Sequence, residues 1–282
     1  MHTLLDILTL SADYLKKKEI ESPRRQAEEL LAAVLGMGRM DLYLDHDRPL
    51  EEDELQKSRA WLKRRGEGEP LAYIVGSLDF LECRLRVNRD VLIPRPETEI
   101  LADKIIQLLS HKTTEGQILW DLCCGSGCLG IAIKKKIPLL KVSLVDICPK
   151  ALAIAKQNAS SNEVDVECFL GDLLTPLAGK KADYLVCNPP YVTAEEYLLL
   201  DREVRDHEPK TALVGGKTGL EYYKRLSEML PNYLNRGAFV WFEIGDGQGE
   251  RLLEIFKAPI WSSKKVEKDW SGRERFFSLE FE

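Results

Sequence analysis

Four consecutive residues, Asn188-Pro189-Pro190-Tyr191, follow the apolar run Tyr184-Leu185-Val186-Cys187. An apolar strand that ends in this way places an acceptor-rich, donor-poor turn at the mouth of a parallel sheet, where doubly wound folds bind their ligands. Prolines carry no backbone N–H, so the turn offers mainly carbonyl oxygens, one side-chain amide and one aromatic face. Such a surface suits a planar NH2 group. The nitrogen of an amide or aromatic amine is a poor nucleophile because its lone pair is delocalised. Alkylating it requires that both N–H groups be held, so that the face of the nitrogen meets the electrophile and the developing positive charge meets oxygen dipoles. The Asn188 side-chain oxygen and the Pro189 carbonyl could be the two acceptors, with Tyr191 stacked on the flat group. A rigid turn with no chemistry is the competing reading, since Asn and Pro are ordinary turn residues.

Upstream lies a second chemistry-bearing stretch, Asp121-Leu122-Cys123-Cys124-Gly125-Ser126-Gly127. Its continuation, Gly125-Ser126-Gly127-Cys128-Leu129-Gly130, matches the G-x-G-x-x-G dinucleotide fingerprint, and an acid, Asp146, stands at the end of the next strand. Nicotinamide cofactors and other adenosine-bearing cofactors exploit the same geometry: glycines let backbone approach the ligand, and the strand-end acid takes ribose hydroxyls. The segment alone does not separate the two. The balance tips on Gly171-Asp172 after the third strand, suited to an adenine amine, and on the Asn-Pro-Pro-Tyr turn after the fourth, for which a dehydrogenase has no evident use.

These turns need a scaffold, and the pattern from residue 96 onward supplies one. Strands are expected at 117–122, 142–146, 166–170, 184–187, 238–243, 265–268 and 275–279, with helices at 97–110, 128–137, 149–160, 219–234 and 247–257. Seven strands with crossover helices make an α/β, doubly wound, Rossmann-like sheet. Residues 1–74 read instead as a small helical bundle, with Leu4, Leu5, Leu8 and Leu15 near helical spacing and Ser22-Pro23 as a cap followed by proline. The stripe Ala27, Leu30, Leu31, Val34 and Leu35 stops at Gly36, and Lys63-Arg64-Arg65 reads as a solvated helix end. Between them, residues 75–95 look like a linking β-hairpin with its turn near Asn88-Arg89-Asp90 and few contacts of its own.

Bulk properties exclude several classes. The 282 residues, 44% of them hydrophobic, can fill a large domain and a smaller one. Net charge is −6, shared evenly between residues 1–92 and the remainder, so neither part is basic enough for a phosphate-backbone binder. Seven cysteines in apolar contexts, with no Cys-x-x-Cys pair, read as reduced thiols of a cytoplasmic protein, and with four scattered histidines no metal site is expected. No stretch looks like a signal peptide or membrane span.

At these residues the chain resembles the class I S-adenosylmethionine methyltransferases of the amino group. More specifically, Pro70-Leu71-Ala72-Tyr73-Ile74-x-Gly76, Leu92-Ile93-Pro94-Arg95-Pro96-Glu97-Thr98-Glu99 and Glu208-Pro209-x-Thr211-Ala212-Leu213 resemble the HemK/PrmC family of peptide chain release factor glutamine methyltransferases. The resemblance spans essentially the whole chain and implies S-adenosyl-L-methionine as cofactor and release factors as protein substrates, with a monomer expected and no direct nucleic-acid partner. It implies that Asp121 and the turn Cys123, Cys124, Gly125, Ser126 and Gly127 hold the methionine part, Asp146 the ribose, and Asp172 with Leu173 the adenine, with Asn188 also touching the cofactor. Asn188, Pro189, Pro190 and Tyr191 would bind the glutamine amide of a Gly-Gly-Gln motif beside the transferable methyl, with Asn188, Pro189 and Tyr191 catalytic and Arg95 and Thr98 on the substrate side. Thr98 could equally cap the helix it begins. The family usually has Gly at the position of Cys123; because Cys forbids cheap positive φ, this turn is expected to run through negative φ here. Residues 1–74 are expected to recognise the substrate protein. Another protein N-methyltransferase, an adenine N6 methyltransferase, a nicotinamide oxidoreductase and a non-catalytic module on the translation apparatus are the alternatives.

Overall fold

Thr3 opens the first helix with a reciprocal cap, its hydroxyl taking the Asp6 N–H while the Asp6 carboxylate takes the Thr3 N–H. The structure is a computed structural model that describes residues 3–282. Helix α1 (Leu4–Lys17) buries Leu4, Leu8 and Leu15 along one stripe. α2 (Pro23–Leu35) ends at Gly36, whose φ of +67° is the left-handed turn that a C-terminal glycine serves. Ser22 precedes Pro23 as expected but sits at φ +49° and makes no capping hydrogen bond, so proline alone sets that start. α3 (Asp41–Leu44) is a single turn; α4 (Glu52–Gly66) and α5 (Leu71–Val75) complete the series, the latter stopped by Gly76 at φ +82°. Leucines from α1 and α2, with Leu42, Leu50 and Ile74, form one core.

These helices make a compact unit ending at Gly76, which also contains residues 201–207. Arg65 explains part of that inclusion. Instead of a solvated helix end, its side chain is 3% exposed and donates to Glu203 Oε2 at 2.6 Å, the Glu69 carbonyl at 2.9 Å and the Gln26 side chain. A guanidinium buried this deeply needs a carboxylate and further acceptors, and a later segment of chain brings the carboxylate.

The second unit covers residues 77–200 and 208–282. It begins with β1 (Ser77–Phe80) and β2 (Cys83–Arg86), paired antiparallel with Phe80 opposite Cys83. The reversal therefore falls at Leu81-Glu82, with Leu81 at φ +50°, and residues 91–93 form no strand. No glycine or asparagine marks that turn, which is why the Asn88 region looked the better place for it. Nor is the hairpin a loose link. Phe80, Cys83 and Leu85 belong to the core of the second unit. The outer edge of β2 is paired by side-chain amides: Asn158 Oδ1 takes the Arg86 N–H at 2.7 Å and Asn162 Oδ1 takes the Arg84 N–H at 3.0 Å, while their NH2 groups donate back to the Arg86 and Arg84 carbonyls.

After α6 (Pro96–Ser110) the alternation begins: β3 (Ile118–Leu122), α7 (Cys128–Lys136), β4 (Lys141–Asp146), α8 (Pro149–Ser161), β5 (Glu167–Leu170) and β6 (Ala182–Cys187). Three short helices follow, α9 (Ala194–Leu199), α10 (Arg202–His207) and α11 (Lys210–Leu213), then α12 (Glu221–Met229), β7 (Leu234–Glu243), α13 (Gly249–Ile255), β8 (Trp261–Lys268) and β9 (Glu274–Phe281). α10 is the segment that belongs to the first unit. The seven-stranded sheet runs β5-β4-β3-β6-β7-β9-β8, parallel except where β9 pairs antiparallel with β7 and β8. Alternate residues feed two cores. Leu119, Leu144, Val186 and Trp241 pack with α6, α7 and α8, while Trp120, Val145, Leu185 and Phe242 pack with α12 and α13. Helices on both faces explain why the parallel strands read as continuous apolar runs. The order reverses between β3 and β6, and there the C-terminal strand ends diverge.

Candidate functional site

One cavity sits at those strand ends, lined by the turns after β3, β4, β5 and β6. Asp121, at the end of β3, is 1% exposed; its Oδ2 takes the Gly130 N–H at 2.8 Å and its Oδ1 has no hydrogen-bond partner among the described residues. Burial, with some repulsion from Asp146, pushes its carboxyl up to about 7. Cys124 donates its N–H to the Val145 carbonyl at 3.1 Å, and Gly125 donates to Asp146 Oδ2 at 2.8 Å. The loop is thus bonded to β4 across the gap. Asp146 also takes the Cys148 N–H at 2.8 Å, and burial raises its pKa.

Cys123 has φ +54°, contrary to the negative value expected for a residue with a Cβ. A left-handed non-glycine residue costs roughly 1 kcal/mol, and the loop's two backbone bonds to β4 offset it. Gly125 at φ +53° has open space where a Cβ would be, whereas a Cβ on Gly127 would come within 2.8 Å of Ile131 and 3.2 Å of Ala155. Gly127 therefore serves helix packing and does not line the cavity; Cys123, Cys124, Gly125 and Ser126 do. Asn158 Nδ2 donates to the Ser126 carbonyl at 2.9 Å, so the residue that pairs β2 also holds this loop. Asp172 and Leu173 line the cavity after β5, and Asp172 is paired with Arg225.

Asn188 and Pro190 reach the cavity, and among the described residues nothing hydrogen-bonds the Asn188 amide. Pro189 is buried and Tyr191 partly so, and neither lines it. The turn's backbone is clamped from behind. Val192 N–H donates to the Leu213 carbonyl and Gly215 N–H to the Val192 carbonyl, at 3.0 and 2.9 Å, and Gln248 Nε2 donates to the Tyr191 carbonyl at 3.2 Å. A Cβ on Gly215 would stand 2.2 Å from the Pro190 oxygen, and one on Gly219 equally close to the Tyr191 oxygen. Glycine is required at both places by close backbone approach.

Arg95 does not line the cavity; its guanidinium is 2.5 Å from Glu208 Oε1, while Glu208 Oε2 takes the Ile93 N–H at 3.1 Å. That carboxylate ties together the segments that bring Leu92 and Pro94 to one wall and Pro209, Thr211 and Ala212 to another. Thr98 does line the cavity, though its hydroxyl donates to Glu243 Oε2 at 2.7 Å. Sequence reasoning missed Tyr222 in the lining, which stands in a helix, and Glu243 behind it, although that acid ends a strand as Asp146 does. Among the described residues there is no cluster able to hold a metal ion, and no helix is long and apolar enough to cross a membrane.

Residues 6–76 match the family model described as the PrmC N-terminal domain, and residues 98–205 match the methyltransferase small domain. The chain is 43% identical over 277 residues to the release factor glutamine methyltransferase of Chlamydia trachomatis serovar D, covering 97% of this chain and 93% of that one. It is 38% identical to the protein of the same name from Bacillus subtilis, over 98% and 96% of the two chains. Among solved structures, a methyltransferase from Pyrococcus furiosus shares the fold with a TM-score of 0.53 at 18% identity, covering 71% of this chain and 89% of that chain.

Proposed function

The chain belongs to the release factor glutamine methyltransferase family, and from that premise we propose that it moves a methyl group from S-adenosyl-L-methionine to the side-chain amide nitrogen of the glutamine in a release factor's Gly-Gly-Gln motif. The observation that carries the reading is the clamped turn with a free Asn188 amide at the rim of a cavity whose floor is acidic.

The cavity fits the cofactor. Asp121 Oδ1 is a buried acceptor without a donor, a costly arrangement that the ligand's ammonium would relieve, and Gly125 leaves room for close approach. Asp146 would take the ribose hydroxyls with the lone pairs its backbone bonds leave, and Asp172 with Leu173 would meet the adenine. When bound, the cofactor supplies an electrophilic methyl on sulfur.

The chain's own residues do the rest by orientation and electrostatics. The Asn188 oxygen and the Pro189 carbonyl would accept the two amide N–H groups, fixing the nitrogen and stabilising its developing charge. Tyr191 would stack on the amide plane. Among the described residues no side chain at the turn is placed as a base, and the proton would pass to solvent after transfer. The helical unit would dock the release factor, since one short loop buries far less than the roughly 1,200–2,000 Å² of a specific protein contact. The protein would work as a monomer in the cytoplasm.

The test offers the purified protein labelled S-adenosyl-L-methionine with an unmethylated release factor and, in parallel, unmethylated DNA. Label on the factor's glutamine alone is expected; label on DNA alone would replace the reading with an adenine methyltransferase.

A further inference from the structure

One buried ionisable group at the site has no part in the transfer as described. Glu243, the last residue of β7, is 1% exposed. Its Oε2 accepts the Thr98 hydroxyl at 2.7 Å, its Oε1 accepts the Tyr191 hydroxyl at 3.3 Å, and its backbone carbonyl takes the Tyr223 hydroxyl at 2.7 Å. Among the described residues it has no direct ion-pair partner. Arg275 faces it, but that guanidinium is bonded to the Ile244 carbonyl at 3.3 Å and to Asp269 at 3.5 Å. A carboxyl so far from water is costly where a well-packed apolar side chain would serve the fold as well. What it gains is two directed contacts, one to each of two site elements: Thr98 in the first turn of α6, which lines the cavity, and Tyr191 in the turn that would bind the amide.

We propose that Glu243 is a positioning residue that fixes the Tyr191 ring through its hydroxyl and ties it to Thr98, so that the amide-binding face is held in one orientation. The inference rests on the reading of Tyr191 as the stacking residue. A phenol anchored at its far end cannot swing about its side-chain torsions, and the ring's face is set before substrate arrives. The hydrogen bond from Gln248 holds the main chain of Tyr191; Glu243 does the same for its side chain.

Tyr191→Phe removes the hydroxyl and keeps the ring. Turnover on release factor is expected to fall about five- to tenfold, with cofactor affinity within about twofold and the melting temperature lower by only a few degrees, the cost of one buried Glu243 acceptor left without its donor. Glu243→Gln, which keeps an acceptor oxygen, should retain more turnover than Glu243→Leu. Tyr191→Phe combined with Glu243→Gln should lose no more than the worse single variant, because both break one contact. Wild-type turnover by Tyr191→Phe, or losses that multiply in the double variant, would overturn the proposal. Tyr191→Ala separates the two layers: wild-type turnover there removes the stacking role itself, whereas a large loss there with Tyr191→Phe unaffected removes only the role of Glu243. Should Glu243→Leu fail to fold, Tyr191→Phe decides alone.

Discussion

Replacing Asp121 by Asn should make the cofactor-free protein relatively more stable at alkaline pH and, at the same time, a poorer binder of S-adenosyl-L-methionine. In the folded state burial holds the Asp121 carboxyl near pH 7, about three units above an exposed aspartate. Between roughly pH 4 and pH 7 the folded protein therefore keeps a proton that the unfolded chain has released. Asp121 accordingly contributes most to stability below about pH 4; the contribution declines as pH rises and is gone above about pH 7. At 1.36 kcal/mol per unit the whole effect is at most about 4 kcal/mol, and relaxation brings it to roughly 2–4. Asn removes this dependence. It still offers an oxygen to the Gly130 N–H but buries an unpaired NH2, which costs about 1–3 kcal/mol at every pH. The variant should thus melt at or below the wild-type temperature at pH 5 and gain on it by roughly 5–10 °C on going to pH 8, taking about 2–4 °C per kcal/mol for a chain of this size. Calorimetric titration should show cofactor affinity lowered about ten- to a hundredfold, the worth of one charge-assisted hydrogen bond. A melting difference that stays constant from pH 5 to pH 8 would refute the buried-charge argument, whatever the affinity does.

Asp146→Ala should weaken cofactor binding by about 2–4 kcal/mol in the same titration, through lost ribose contacts and a loop freed from β4; unchanged affinity would remove Asp146 from the site. Asn188→Ala should leave that affinity nearly intact and lower turnover by about two to three orders of magnitude, measured as methyl transfer under saturating cofactor. Asn158→Ala takes one acceptor and one donor from Arg86 of β2 and the donor from the Ser126 carbonyl, and should cost about 2–4 kcal/mol in denaturant unfolding while raising the cofactor dissociation constant. Arg65→Ala removes a buried guanidinium and its three hydrogen bonds, while half-exposed Glu203 can turn to water, and should destabilise the helical unit by about 1–3 kcal/mol, read as early loss of amide protection confined to that unit.

The inner strands β3, β4, β6 and β7 were legible because each holds a short apolar run closed by a glycine, acidic or Asn-Pro-Pro turn, and the cavity turns after β3, β4, β5 and β6 fall where the sequence placed them. Strand starts ran longer, as at Leu234 and Trp261, because pairing with a neighbour extends a strand past its apolar centre. The hairpin was misplaced since a two-residue reversal at Leu81-Glu82 carries no turn chemistry and is held by tertiary contacts, including Leu81 N–H to Glu99 Oε1 at 2.9 Å. Cys123 was misjudged for a related reason: local φ preference is a small energy, and bonds from the loop to another strand outweigh it. Gly127 and Arg95 stand in motifs whose residue types fit a ligand, yet the first is spent on packing and the second on Glu208. Glu243 lies well over a hundred residues from Thr98, and nothing in spacing announces a contact of that span.

The ion pair that completes the helical unit joins residues 138 positions apart in the chain. During synthesis at roughly 5–20 residues per second, Arg65 is made about seven to twenty-eight seconds before Glu203. Helices α1 to α5 can gather around their leucines in that interval, but a guanidinium bound for a buried place cannot be sealed in without its counter-charge. The first unit to be translated is therefore among the last to be finished, and it closes only after β3 to β6 have been made.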